Sequence, residues 1–194
     1  MDSLKEKINQ FIREKIEIRQ YDASWVGLFE EEKKHLLEIL PAGIVKRVEH
    51  FGSTAIPGMP AKPIIDMLVE VTSLELTREK IVPILVEDCY DYFWRPSWGD
   101  DTPPFYAWFI KRDNDGNRTH HIHMVEKDFE HWDRLLFRDY LIEKPEIARE
   151  YSLLKLKLSS IYSDDRVSYT KAKHDFIQRV TGLAKEYFGK SQDK

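Results

Sequence analysis

The 194 residues, 42% of them hydrophobic and 33% charged, are enough for one ordinary globular domain that needs no disulfide, since Cys89 is the only cysteine. A net charge of −4 argues against a dedicated nucleic-acid binder. No apolar run approaches the ~18 residues that span a bilayer, so neither nucleic acid nor membrane is an expected partner. The N-terminal stretch alternates charged and apolar residues without a signal-peptide core, and a lone thiol fits a reducing compartment, so the cytoplasm is the expected location. Cys89 lies in the apolar-rich stretch 84–93 and reads as a small packed thiol rather than a nucleophile.

In chain order, residues 3–15 predict a helix with a narrow apolar stripe of Ile8, Phe11 and Ile12, and 16–21 a short strand. A helix over 25–40 follows, capped by Asp22 or Ser24, with Trp25, Leu28, Phe29, Leu36 and Leu37 on one side and Pro41-Ala42-Gly43 as its stop. Residues 44–51 mix β-branched and charged side chains, as a partly buried strand does. The segment 52–62, with Gly52, Pro57, Gly58 and Pro60, is a loop. The nearly continuous apolar run in 63–71 is a strand covered on both faces. A helix over 77–87 is kinked or broken by Pro83. Strands are expected at 90–94, 105–112 and 117–125, with 95–104 a loop and Asp113-Asn114-Asp115-Gly116 a hairpin turn, because those residues tolerate positive φ. From 126 onward the pattern is helical: 130–142, 145–160 opened by Pro145, and 168–188, with Asp164-Asp165 marking a boundary. No repeat or linker divides the chain. It reads as a single domain over 1–194, with a mixed α/β core at 16–126 and a helical C-terminal part at 127–194.

The informative segment is HFGSTAIPGMPAKPIIDM, residues 50–67. A strand ends at Gly52-Ser53, a glycine-containing loop follows, Lys62 comes next, and Asp66 lies early in an apolar strand. Gly52 lets the backbone approach a phosphate, and the Ser53 hydroxyl with successive backbone N–H groups can donate to its oxygens. Thr54 either joins them or caps the loop. Lys62 supplies positive charge. A carboxylate in an apolar strand is costly unless paired, hydrogen-bonded or metal-bound. A Mg2+-bound nucleoside triphosphate resolves that cost for Asp66; so does a loop-capping role in which it accepts backbone N–H groups.

This arrangement resembles the nucleotidyltransferase superfamily, and the longer string resembles the GrpB family closely: Gly-Ser-Thr, a small residue, an aliphatic one, any residue, Gly, then Lys, any residue, two aliphatics and Asp. Tyr21-Asp22 with Trp25 and Phe29, Arg118-Thr119-His120-His121-Ile122-His123, Phe137-Arg138-Asp139-Tyr140-Leu141, Tyr151 with Lys155, and Tyr169 with Lys173 resemble further family blocks. The resemblance covers roughly residues 16–186. It implies an α/β (α+β) fold, a nucleotidyltransferase-like mixed β-sheet core with a C-terminal helical part. It also implies a nucleotide or other phosphorylated small molecule as partner, a divalent metal (Mg, Mn or Zn) as cofactor, and transfer of a nucleoside monophosphate to a small acceptor. Related domains fused to dephospho-CoA kinase keep open a non-catalytic ligand-binding or protein-interaction role.

Active members of the superfamily carry two acids one residue apart on the strand after the loop. Here the second place is Leu68, and Glu70 lies roughly 13 Å from Asp66 along an extended strand, too far to share an ion. His121 and His123 share one strand face, so Asp66, His121 and His123, with His50 joining them, can form a mixed site for a borderline ion such as Mn2+, Zn2+ or Fe2+. The two histidines can equally contact phosphate or serve the structure alone. On the enzyme reading Asp66 and Lys62 are the catalytic residues, and Gly52 and Ser53 hold the triphosphate. Arg118 and Arg138 are candidates for anion contacts, since a guanidinium fork matches phosphate. Lys155 and Lys173 either fold over the cleft or lie on the surface. Tyr169 either stacks on a base or packs in the core. Trp94, Trp98 and Trp108, with Phe93, Phe105 and Tyr106, line a pocket or fill the core.

Overall fold

The computed structural model describes residues 15–97 and 102–192. All but the last position of the helix expected at 3–15 lies outside the described residues, as does Trp98. Five strands, β1 Val45–Phe51, β2 Ile65–Val71, β3 Asp91–Pro96, β4 Phe105–Arg112 and β5 Arg118–Val125, form one mixed sheet in the order β1-β2-β5-β4-β3. β2 and β5 run parallel at its centre and every other pair is antiparallel. A central parallel pair has both faces covered, and Met67, Leu68 and Val69 are accordingly inaccessible to solvent. The chain thus has the mixed α/β architecture that the motif order implies.

One face of the sheet presents Ile65, Met67, Val69, Ala107, Phe109, Ile122 and Met124 to two helices. The first, α1, spans Ser24–Ile39 and buries Trp25, Phe29 and Leu36 there. Asp22 starts it by accepting the Ser24 N–H at 2.8 Å. Leu28 and Leu37, expected on the same side, are 42% and 52% exposed; at 100° per residue they fall on the flanks of the stripe set by the other three. The second, α2, runs over 74–87 as an α-turn Leu74–Leu76, a π-turn Thr77–Ile81 and an α-segment Val82–Glu87. It starts earlier than the expected position 77 because the Ser73 hydroxyl accepts the N–H groups of Glu75 and Leu76. The π-turn lies just ahead of Pro83, whose missing N–H interrupts the regular ladder. Cys89, expected to be packed, is exposed and takes φ 64° just beyond the end of α2.

The other face packs Leu68, Tyr106, Trp108, Ile110 and Val125 with Phe51 against Leu135 of α3, Asp133–Glu143, which a 3-10 turn Glu130–Trp132 precedes. Helices α4 Pro145–Ile161, α5 Arg166–Lys171 and α6 His174–Gln192 complete the chain. Phe137, Leu141, Tyr151 and Val180 of these helices cluster with Ile56 and Met59 of the 52–62 loop, so the helical half is bound to the loop rather than only to the sheet. The single helix expected at 168–188 is instead two, α5 and α6. Asp165 caps the first through the Ser168 N–H at 2.9 Å, and the break turns Lys173 back over the Tyr169 ring. The strand expected at 16–21 is reduced to one bridge between Arg19 and Ala61. No helix among the described residues is long and apolar enough to cross a membrane.

Candidate functional site

In the antiparallel register Phe51 stands opposite Asp66, so the chain leaving β1 turns directly over that carboxylate. Gly52 makes the turn with φ 74° and ψ −169°, a conformation left almost entirely to glycine. A Cβ at Gly52 would stand 2.5 Å from Oδ2 of Asp66. On the other side of β2 the parallel register sets His121 beside Asp66, and Nδ1 of His121 lies 3.0 Å from Oδ1. An ionised carboxylate only accepts hydrogen bonds, so Nδ1 carries the proton and Nε2 keeps its lone pair. That Nε2 is buried without a hydrogen-bond partner. Burial pushes Asp66 up, but the bond from His121 and the nearby charges, Lys62 and Arg134 among them, outweigh it and hold the carboxyl below its ordinary value. Burial brings His121 down to about 4 against the pull of Asp66, so at neutral pH the pair is an ionised acid and a neutral imidazole.

Cations surround this acid. Lys155 of α4 is 2% exposed and donates to Oγ of Ser53 at 3.0 Å and to the carbonyl of Pro60. Lys62 and Lys173 approach the Tyr169 ring, their Nζ atoms 5.6 and 4.3 Å from its centre. Arg118 and Arg166 are buried within electrostatic reach of Lys62. Burial, with Lys173 nearby, lowers Lys155 to about 7. Burial, opposed by Asp66 and aided by Arg166, lowers Lys173 to about 8. Lys62 falls well below its ordinary value through burial and then through Arg166 and Lys173. Buried amines crowded by like charge are stabilised in their protonated form by an anion.

Several expected ligands lie elsewhere. Leu68, on the same face two residues beyond Asp66, fills the apolar cluster with Phe51, Tyr106 and Trp108, so the place of a second strand acid is core. His50 pairs with Met67 and faces the opposite side of the sheet, where it stacks on Phe29 at 4.8 Å and lies 3.0 Å from Oγ1 of Thr54. It therefore cannot join Asp66 at a metal ion. Among the described residues no three His, Cys, Asp or Glu side chains come together as metal ligands. The donor set on the Asp66 face, one carboxylate and the Nε2 of His121 among five buried or half-buried cations, fits an anion better than a resident cation. An apolar groove lined by Ile56, Met59, Leu141, Pro145 and Ala148 shares no residue with this cluster.

A family model described as "GrpB protein" matches residues 15–182. The chain belongs to the GrpB family. It is 37% identical over 176 residues to the UPF0157 protein YqkA of Bacillus subtilis (strain 168), a match covering 90% of this chain and 49% of YqkA, so the chain spans about half of that relative. It is 37% identical over 161 residues to the glutamate-rich protein GrpB of Alkalihalophilus pseudofirmus, covering 82% of this chain and 90% of that protein. The crystal structure of conserved protein GrpB from Enterococcus faecalis matches at TM-score 0.72 and 34% identity, over 89% of this chain and 99% of the other.

Of the residues that GrpB resemblance singles out, the fold brings Gly52, Ser53, Lys62, Asp66, Arg118, His121, Lys155 and Lys173 together. Thr54 is buried and donates to the carbonyl of Ile64 at 3.4 Å, which is a loop cap. Arg138 is engaged with Asp139, Glu49 and the carbonyl of His50, and so ties α3 to β1. Tyr169 is 1% exposed with Ile16 and Leu158, its ring already flanked by two ammonium groups. His123 shares the face of His121 but stacks on Tyr106 at 5.4 Å. The aromatic cluster divides between the faces: Phe93 packs on Trp108, whereas Trp94 stacks on Phe105 and lies under Arg78 of α2. Sequence reasoning missed Arg166 and Arg134. Arg166 follows the Asp164-Asp165 boundary directly, and Arg134 lies one helical turn before Arg138, a spacing that was the available signal.

Proposed function

We propose that this GrpB-family chain binds the phosphate groups of a nucleotide or another phosphorylated small molecule where the Gly52 turn meets the lysines of the helical half. The observation that carries this reading is the gathering of Lys62, Lys155, Lys173, Arg118 and Arg166 around one turn in a protein whose net charge is −4. Lys155 fixes the Ser53 hydroxyl, and Lys62 and Lys173 hold the charge that phosphate oxygens accept from. A divalent ion enters this reading only together with a triphosphate, with Asp66 as its protein carboxylate.

A second reading, transfer of a nucleoside monophosphate, rests on the ionised Asp66 at the mouth of the turn. In that reaction an acceptor oxygen bonds to the α-phosphorus and the bridging bond to the β-phosphate breaks. Pyrophosphate leaves with the electron pair, and the acceptor proton passes to solvent. Cationic side chains stabilise the charge that develops on the phosphate oxygens.

A thermal-shift panel of inorganic phosphate, pyrophosphate and the four ribonucleoside triphosphates, with and without Mg2+ or Mn2+, tests the first reading. A ligand at one hundred times its Kd stabilises by about 2.7 kcal/mol. Absence of any shift across the panel sinks it. Pyrophosphate release by wild type but not by Asp66→Asn supports transfer, whereas binding without release leaves binding as the function.

A further inference from the structure

The sheet face that bears Asp66 continues past it across Arg95, Tyr106, Trp108 and His123. Arg95 lies over the Trp108 ring at 4.5 Å, and Arg134 of α3 lies over Phe51 at 5.5 Å. Nη2 of Arg134 donates to Nε2 of His131 at 3.0 Å, and His131 stands edge-on to Tyr106 at 4.6 Å. Among the described residues Arg134 forms no ion pair at salt-bridge distance, while Asp66 and Glu130 act on it electrostatically from farther off. His123, 7% exposed, keeps its Nδ1 buried without a hydrogen-bond partner. Buried charge is expensive unless it is paired, and a guanidinium fork pairs best with an oxyanion.

We propose that Arg134 and Arg95, set over a floor of aromatic rings, form a second oxyanion subsite that takes the carboxylate or phosphate of an acceptor molecule. His123, which lies beside both Phe51 and Trp108, is two residues beyond His121 on β5, so the ring at the centre of this floor stands roughly 7 Å from His121 along the strand. An acceptor carrying an acidic group at that distance from its reacting end spans the two. The assignment rests on the phosphate-binding reading for the pairing of the two sites, while its own chemistry comes from Arg134 and Arg95. The aromatic floor packs against the guanidinium groups and orients them, and an oxyanion completes them with charge-assisted hydrogen bonds.

Calorimetric titration of the full chain with inorganic phosphate and, separately, with malonate tests the assignment and tells phosphate from carboxylate. Two sites are expected in total. Arg134→Gln and Arg95→Gln are each expected to weaken one of them at least about tenfold. Lys62→Gln is expected to weaken the other. Arg134→Lys, which keeps the charge and loses the fork, guards against misfolding and is expected to recover binding only in part. A single site that Lys62→Gln removes and the arginine variants leave unchanged overturns the second subsite alone. A single site that only the arginine variants remove overturns the phosphate reading of the Gly52 turn alone. No binding of either anion overturns both.

Discussion

At Gly52 two constraints meet: a φ of 74° with extended ψ, and a carboxylate oxygen 2.5 Å from where a Cβ would stand. The second matters more, because the atom in the way is the one that defines the site. Gly52→Ala is expected to cost about 1–3 kcal/mol and to push Asp66 off His121, so that phosphate stabilises the variant less than wild type in a thermal melt. Equal stabilisation of both proteins would show that the turn does not shape the anion site. Asp66 itself is set by position rather than by surroundings of its own making: the parallel register supplies His121, and the antiparallel register supplies the turn.

Strand β2 is the element on which both readings depend. It alternates Asp66, Leu68 and Glu70 on one face with Ile65, Met67, Val69 and Val71 on the other, and both faces are covered. Leu68→Ala removes a fully buried side chain from the cluster under α3 and is expected to cost roughly 2–5 kcal/mol. Chemical denaturation measures this directly. Because Asp66 precedes Leu68 by two residues and is fixed by its own register partner, the folded variant is expected to bind phosphate with an affinity close to that of wild type. A large loss of both stability and affinity would mean that the apolar cluster, and not the register, holds the carboxylate in place.

Across the whole molecule the lysine cluster around the Gly52 turn stores unfavourable charge. Lys155 and Lys173 ionise at about 7 and about 8 in the fold, against about 10.5 for free lysine. The unfolded chain therefore binds more protons between those limits, and ligand-free stability is expected to rise with pH from about 7 toward about 10.5, by up to about 1.4 kcal/mol per pH unit for each proton. Below about 7 both states hold the proton on Lys155, and its contribution stays at its least favourable level. Phosphate works in the opposite sense, since it binds the protonated amines: its stabilisation is expected to be larger at pH 6.5 than at pH 9. Urea titrations at the two pH values, with and without phosphate, check both signs, and Lys155→Met is expected to flatten the ligand-free slope. A slope unchanged in that variant would remove Lys155 as its source.

Most of the elements, the GrpB family and the pairing of a Gly-Ser turn with Asp66 were legible in the residues, because strand alternation, turn residues and a long local motif act over short stretches of chain; the break of the last helix into two and the reduction of the 16–21 strand to one bridge were not. Which helices close over that turn, which of two sheet faces takes His50 or Trp94, and that Leu68 fills core where an acid would bind metal were decided only by tertiary structure. So was the gathering of Lys155, Arg166 and Lys173 around residues a hundred positions earlier. Local sequence sets φ, ψ and periodicity; the meeting of distant charges depends on how separately formed apolar faces pack, and no short stretch of chain encodes that.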